Sequence, residues 1–98
     1  MPVYFMNSYD ITDEEKFSKY GPQVIPLLNK YGAVVLASDV EGMGFEGKPR
    51  KMNAIIRFPS ADATLKCYHD PEYQPLKAIR HSSTSNCTMV LVKEFEMG

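Results

Sequence analysis

Arg80, His81, Ser82 and Ser83 follow one another in the chain, and a cation, an imidazole and hydroxyls at one spot can bind and process a small polar molecule. Arginine grips a carboxylate or phosphate in a fixed two-pronged geometry. Histidine titrates near neutral pH and so can move protons. Asn7, near the end of the first apolar stretch, and Tyr68 and Tyr73, on either side of Asp70-Pro71, are placed to share a cleft with them. Tyrosine suits such a cleft because its body is apolar and its tip polar. The candidate ligand-binding residues are therefore Arg80, His81, Tyr73, Tyr68, Asn7 and Ser82. For catalysis, the candidates are His81 as acid–base group and Arg80 or Asn7 as oxyanion partner. Each also has a plain structural reading. Arg80 can form a salt bridge or cap free carbonyls, the tyrosines can cover a sheet edge, and loop backbone can satisfy Asn7.

Other chemistries find little support. His69 falls near a helix C-terminus, where a partly charged imidazole is favourable in itself. Neither histidine has acidic neighbours at metal-ligand spacing, so no metal and no cofactor are expected. Ser82, Ser83 and Ser85 lack the strand-turn-helix setting of a nucleophile elbow. The glycines of EGMGFEG do not follow a strand and open a helix, so they are not a nucleotide loop. Cys67 and Cys87 read as small packed residues that stay reduced.

Eleven basic against twelve acidic side chains give a net charge of −1, which argues against nucleic-acid binding. No run approaches the ~18 apolar residues of a membrane span. The start, MPVYFMNSYD, has neither the basic leader nor the apolar core of a signal peptide, so the expected location is cytoplasmic.

Elements must position these groups. Residues 3–9 read as a strand, with Val3, Phe5 and Asn7 on one face and Tyr4, Met6 and Ser8 on the other. Thr12 to Glu15 has the form of a capping box. The stripe Phe17, Tyr20, Val24, Leu27, Leu28 and Tyr31 predicts a helix, broken or kinked by Gly21-Pro22 and Pro26 and ended by Gly32. Residues 33–38 form a strand and residues 39–50 a glycine-rich loop, with edge pairing of residues 40–45 as an alternative. Met52–Phe58 is the third strand, with Met52, Ala54, Ile56 and Phe58 on one face. Ser60 caps a helix through Tyr68. Asp70-Pro71 starts a separate short helix or pair of turns through Arg80, with a second bend at Pro75. Residues 81–86 read as a loop and residues 87–95 as the last strand.

The order β-α-β-β-α-β in a single domain of residues 1–98 predicts an α+β, ferredoxin-like antiparallel sheet with both helices on one face. Strands one, three and four are nevertheless apolar on both faces. A second copy packed sheet to sheet would bury the spare face, so a homodimer with a barrel-like core is expected. Arg57, on that spare face, either pairs across the dimer or points into a cleft.

The stretches KFSKYGPQVIPLLNKYGAVVLAS, AIIRFPSADATLKCYHDPEYQPLKAIRHSS and MVLVKEF resemble the "domain of unknown function 1330" family of the dimeric α/β barrel superfamily. Such sequences usually pair two glycines after the first helix, where this chain has Gly32-Ala33. The resemblance implies the ferredoxin-like fold and its dimerisation, and an arginine at the place of Arg80 belongs to the family pattern. The superfamily spans cofactor-independent monooxygenases, isomerases, haem enzymes and regulatory ligand-binding domains, so the fold does not select a chemistry. The leading reading is a dimer that binds a small anionic or aromatic molecule in a cleft between the sheet and residues 68–83. The alternatives are a cofactor-independent monooxygenase- or isomerase-like enzyme and a purely structural or partner-docking dimer.

Overall fold

The apolar residues at alternate positions of β1 (Val3–Ile11) and β3 (Met52–Phe58) put these strands side by side at the sheet centre, antiparallel, with Val3 opposite Phe58 and Asn7 opposite Ala54. The computed structural model describes residues 1–96; Met97 and Gly98, included in the single-domain expectation, lie outside the described residues. Edge strands β2 (Val34–Asp39) and β4 (Thr84–Lys93) complete the antiparallel order β2-β3-β1-β4. Helices α1 (Glu14–Phe17), α2 (Tyr20–Lys30), α3 (Ala61–Tyr68) and α4 (Tyr73–Ser83) cover one face. This is the ferredoxin-like α+β arrangement.

Val3, Phe5, Asn7 and Tyr9 face the helices together with Met52, Ala54, Ile56 and Phe58. Val3 and Phe58 pack with Val24, Leu27 and Leu28 of α2, Cys67 of α3, and Tyr73 and Leu76 of α4. The other face is uncovered, and Met6, Val34, Val90 and Val92 stand exposed on it. Tyr4 there donates to Glu94 Oε1 at 2.8 Å.

Local signals account for most boundaries. Ser60 Oγ accepts from the Ala63 amide at 3.1 Å and caps α3. At the end of α2, Gly32 has φ of 72°, and the amides of Gly32 and Ala33 bond the carbonyls of Asn29 and Leu28 at 3.1 and 3.0 Å. That is a Schellman closure, which a residue with a Cβ resists.

Four expectations need correction. The N-cap of α1 is Asp13, whose Oδ1 accepts from the Lys16 amide at 3.0 Å. Thr12 is engaged elsewhere, its amide donating to the Ser83 carbonyl at 2.8 Å. The long helix breaks at Ser18 and Lys19, ahead of Gly21-Pro22, and Pro22 falls within the first turn of α2, where its missing N–H breaks no bond. The loop reading holds for residues 40–50, without the alternative edge strand, but Asp39 belongs to β2. Finally, α4 runs through His81 to Ser83, and β4 starts at Thr84, where the sequence suggested a loop.

Candidate functional site

The layer between sheet and helices is not filled evenly. Between the sheet and α2, α3 and α4 lies a cavity of ≈ 200 Å³. Phe5, Val24, Leu28, Ile56, Phe58 and Tyr68 make it largely apolar, and the polar groups on its wall include Asn7, Tyr9, Tyr20, Tyr73 and Arg80. Phe5 meets Phe58 edge to face at 5.7 Å between ring centroids.

Among the described residues Arg80 is the one cation on this wall, and it is only 2% exposed. α4 carries it over the sheet, and Tyr73, two turns earlier on the same helix face, supports it. Arg80 Nε donates to Tyr73 Oη at 3.4 Å, and Tyr73 Oη shares a hydrogen bond with Tyr20 Oη at 2.9 Å. Arg80 Nη1 donates to Cys87 Sγ at 3.1 Å, and Nη2 lies 3.5 Å from His81 Nε2. A bulge brings Cys87 there. Ser8 pairs with Thr88 but Asp10 with Ser85, so β4 holds one extra residue, and Asn86 takes a left-handed φ of 53°. Bulges of this kind re-aim side chains. Asn86 Nδ2 fixes the bend by donating to Asp10 Oδ2 at 3.0 Å.

The three Arg80 partners are a phenol, a thiol and an imidazole. Among the described residues no carboxylate reaches the guanidinium, whereas Lys30 pairs with Asp70 and Lys66 with Asp62. An ion taken out of water without an opposite charge costs several kcal/mol. Burial works against the Arg80 charge, while the Tyr73 and Tyr20 phenol oxygens favour it, and the guanidinium stays ionised. Burial pushes the Tyr9 phenol up to about 12 and raises that of Tyr20 as well, so both are neutral hydroxyls near pH 7. The cavity thus carries one positive charge in apolar surroundings, where a charge acts more strongly than in water.

Asn7 adds a second unmet demand. It is 9% exposed, and its Oδ1 is buried without a hydrogen-bond partner among the described residues. Such a group costs about 1–3 kcal/mol.

Of the residues singled out in the sequence, Asn7, Tyr68, Tyr73 and Arg80 come together on the cavity wall. His81 and Ser82 do not; both are exposed and lie off it. The reason is geometric. They belong to α4, where successive side chains diverge by about 100°, so neighbours of Arg80 cannot share its direction. Ser82 Oγ instead donates to the Ile79 carbonyl at 3.2 Å. Partial burial first, then the charges of Arg80 and Lys77, hold the His81 imidazole below the usual histidine range. His81 thus reaches Arg80 from outside the cavity, and no carboxylate or imidazole lines the cavity among the described residues. Arg57, on the opposite sheet face, is also away from it. Among the described residues no cluster of His, Cys, Asp and Glu gathers to hold a metal ion. Tyr20 was the residue hardest to see. Its place in the apolar stripe of α2 reads as core, and its hydroxyl gains meaning only from Tyr73, on a helix far along the chain.

The joint before α4 is held from outside the cavity. Asp70 Oδ1 accepts from the Glu72 amide at 2.7 Å, while Oδ2 accepts from the Tyr31 hydroxyl and from Lys30 Nζ at 3.3 Å. Gln74 Nε2 bridges the carbonyls of Tyr68 and Asp70, each at 3.1 Å. These bonds fasten the joint to the end of α2 and so fix the direction in which α4 delivers Arg80.

Solved structures share this fold. A protein of unknown function from Rhodopseudomonas palustris matches over 98% of this chain and 84% of its own, with a TM-score of 0.84 and 16% identity. SnoaB, a cofactor-independent oxygenase from Streptomyces nogalater, matches over 98% of this chain and 95% of its own, with a TM-score of 0.73 and 11% identity. A dimeric protein of unknown function and ferredoxin-like fold from Bacteroides fragilis matches over 95% and 96%, with a TM-score of 0.65 and 16% identity. No curated protein matches the chain. The family model "Domain of unknown function (DUF1330)" matches residues 2–95, and the chain belongs to that family.

Proposed function

We propose that this protein is a homodimer that binds a small molecule, an anion with an apolar or aromatic body, with its negative group on Arg80. The reading rests on one observation: a guanidinium 2% exposed, on the wall of an apolar cavity, with no carboxylate partner among the described residues. A ligand carboxylate supplies the missing charge, and Phe5, Phe58 and Tyr68 take up its apolar body. The uncovered sheet face, with Met6, Val34, Val90 and Val92 exposed, supports a second copy packed sheet to sheet. The related fold described as dimeric supports it too. The location this reading favours is cytoplasmic, where Cys67 and Cys87 stay free thiols.

A second reading, a cofactor-independent monooxygenase- or isomerase-like enzyme, is favoured by the likeness to SnoaB. Arg80 and the neighbouring phenols suit an enolate or other oxyanion. Against it stands the lack of a carboxylate or imidazole on the wall among the described residues, which leaves deprotonation to the substrate's own acidity.

The deciding experiment is a thermal-shift titration with benzoate and with its neutral analogue benzyl alcohol, on wild type and Arg80→Met. Benzoate is expected to raise the wild-type melting temperature with a saturable dose dependence, benzyl alcohol to do so far less, and Arg80→Met to abolish the benzoate effect. A benzoate shift that survives in Arg80→Met refutes the anion site. Oxygen uptake or product formation from an enolisable aromatic acid would favour the enzyme. Sedimentation at micromolar concentration tests the dimer, which Val90→Asp is expected to split.

A further inference from the structure

The cavity makes a more specific demand than an anion. Arg80 has five N–H donors, and the three contacts to Tyr73, Cys87 and His81 leave two, the number that a carboxylate takes in two-pronged fashion. On the same wall the Asn7 amide is nine-tenths buried, with its Oδ1 unpartnered among the described residues. An amide carries an acceptor at one end and a donor at the other, and a hydroxyl complements either. The remaining wall is apolar and aromatic. Its volume sets the size: a cavity of roughly 150 Å³ accepts benzene, so ≈ 200 Å³ holds one ring with two small substituents and not a fused pair.

We infer that the ligand is a single-ring hydroxy-carboxylate, its carboxylate on Arg80 and its hydroxyl on the Asn7 amide. This rests on the reading of the cavity as an anion site and adds the hydroxyl, the residue that selects it and the one-ring limit. Asn7 then acts as the specificity determinant. A site that leaves a buried polar group unpaired when the hydroxyl is missing discriminates strongly against the analogue without it.

The test is calorimetric titration of wild type and Asn7→Leu with benzoate, the three isomeric monohydroxybenzoates and 6-hydroxy-2-naphthoate. At least one hydroxybenzoate is expected to bind wild type about tenfold more tightly than benzoate, as one added hydrogen bond to an unpaired buried group implies. In Asn7→Leu that advantage disappears, so that benzoate and the hydroxybenzoates bind the variant alike, and the naphthoate does not bind wild type. Asn7→Leu also melts no lower than wild type, because an unpaired amide gives way to an apolar group of similar shape. If the variant fails to fold, Asn7→Ala serves in its place, and the wild-type preference stands as a test without any variant. Equal binding of benzoate and all hydroxybenzoates, or a hydroxyl advantage that persists in Asn7→Leu, overturns the inference and leaves the anion site standing. Failure of every carboxylate, benzoate included, overturns both.

Discussion

Asp70 and Arg80 stand at the two ends of one segment, the joint and helix that lead into the last strand, and both are buried, at 7% and 2% exposure. Their surroundings differ in kind. Both Asp70 oxygens are engaged, by the Glu72 amide, the Tyr31 hydroxyl and Lys30. Arg80 meets a phenol, a thiol and an imidazole, and no opposite charge among the described residues. A buried charge whose partners are all supplied by the chain serves the fold. A buried charge without a counter-charge leaves a demand that, on the function proposed above, a ligand anion meets. On that proposal, one end of the segment serves the architecture and the other the binding site.

The comparison can be broken from either end. The largest expected effect is on binding: Arg80→Met should weaken benzoate by about a hundredfold or more, because removing one partner of a buried charged contact costs about 2–5 kcal/mol. In urea, without ligand, the same variant should be as stable as wild type or more so, since it relieves an uncompensated charge. A large loss of stability would make Arg80 a structural residue like Asp70.

Asp70→Asn should behave in the opposite way, lowering stability near pH 7 while leaving α3 and the sheet intact. The pH dependence has a definite sign. The Tyr31 hydroxyl first, then the Glu72 amide and Lys30, hold the Asp70 carboxyl below its ordinary value. Its contribution is therefore present above the unfolded value of about 3.9 and lost as pH falls through the lower folded value. The stability gap between wild type and Asp70→Asn should close as the pH drops toward that range, as read by melting temperature. Tyr31→Phe removes one of the three contacts and should cost less than Asp70→Asn, with the gap closing over the same range. Smallest of all, Lys66→Ala removes an exposed pair with Asp62 one helical turn away and should cost no more than about 0.5 kcal/mol in urea.

Much of this architecture was legible in the sequence wherever local chemistry decides it. The bounds and faces of β3, the Ser60 cap and the Gly32 closure follow from alternation, a hydroxyl and the one residue free of a Cβ. Proline position was the harder sign. Pro75 reads as a bend, yet it lies in the first turn of α4, where the chain needs no amide donor. With that bend removed, α4 continues past Arg80 and carries His81 and Ser82 off the cavity wall. The cavity itself follows from tertiary packing alone. With twelve acidic residues in the chain, nothing local shows that none of them reaches Arg80. The Tyr20–Tyr73 contact and the bulge that turns Cys87 toward Arg80 are likewise products of the assembled fold.

On the proposed function, the Arg80 guanidinium waits for an anion from outside the chain. Nitrogen-15 NMR of the arginine side chains, titrated with benzoate, observes that group directly. The Arg80 Nε–H resonance, assigned by its loss in Arg80→Met, should move with saturation and exchange more slowly with water, while that of exposed Arg57 stays in place. An Arg80 signal that does not move at benzoate concentrations that saturate the thermal shift would contradict the account.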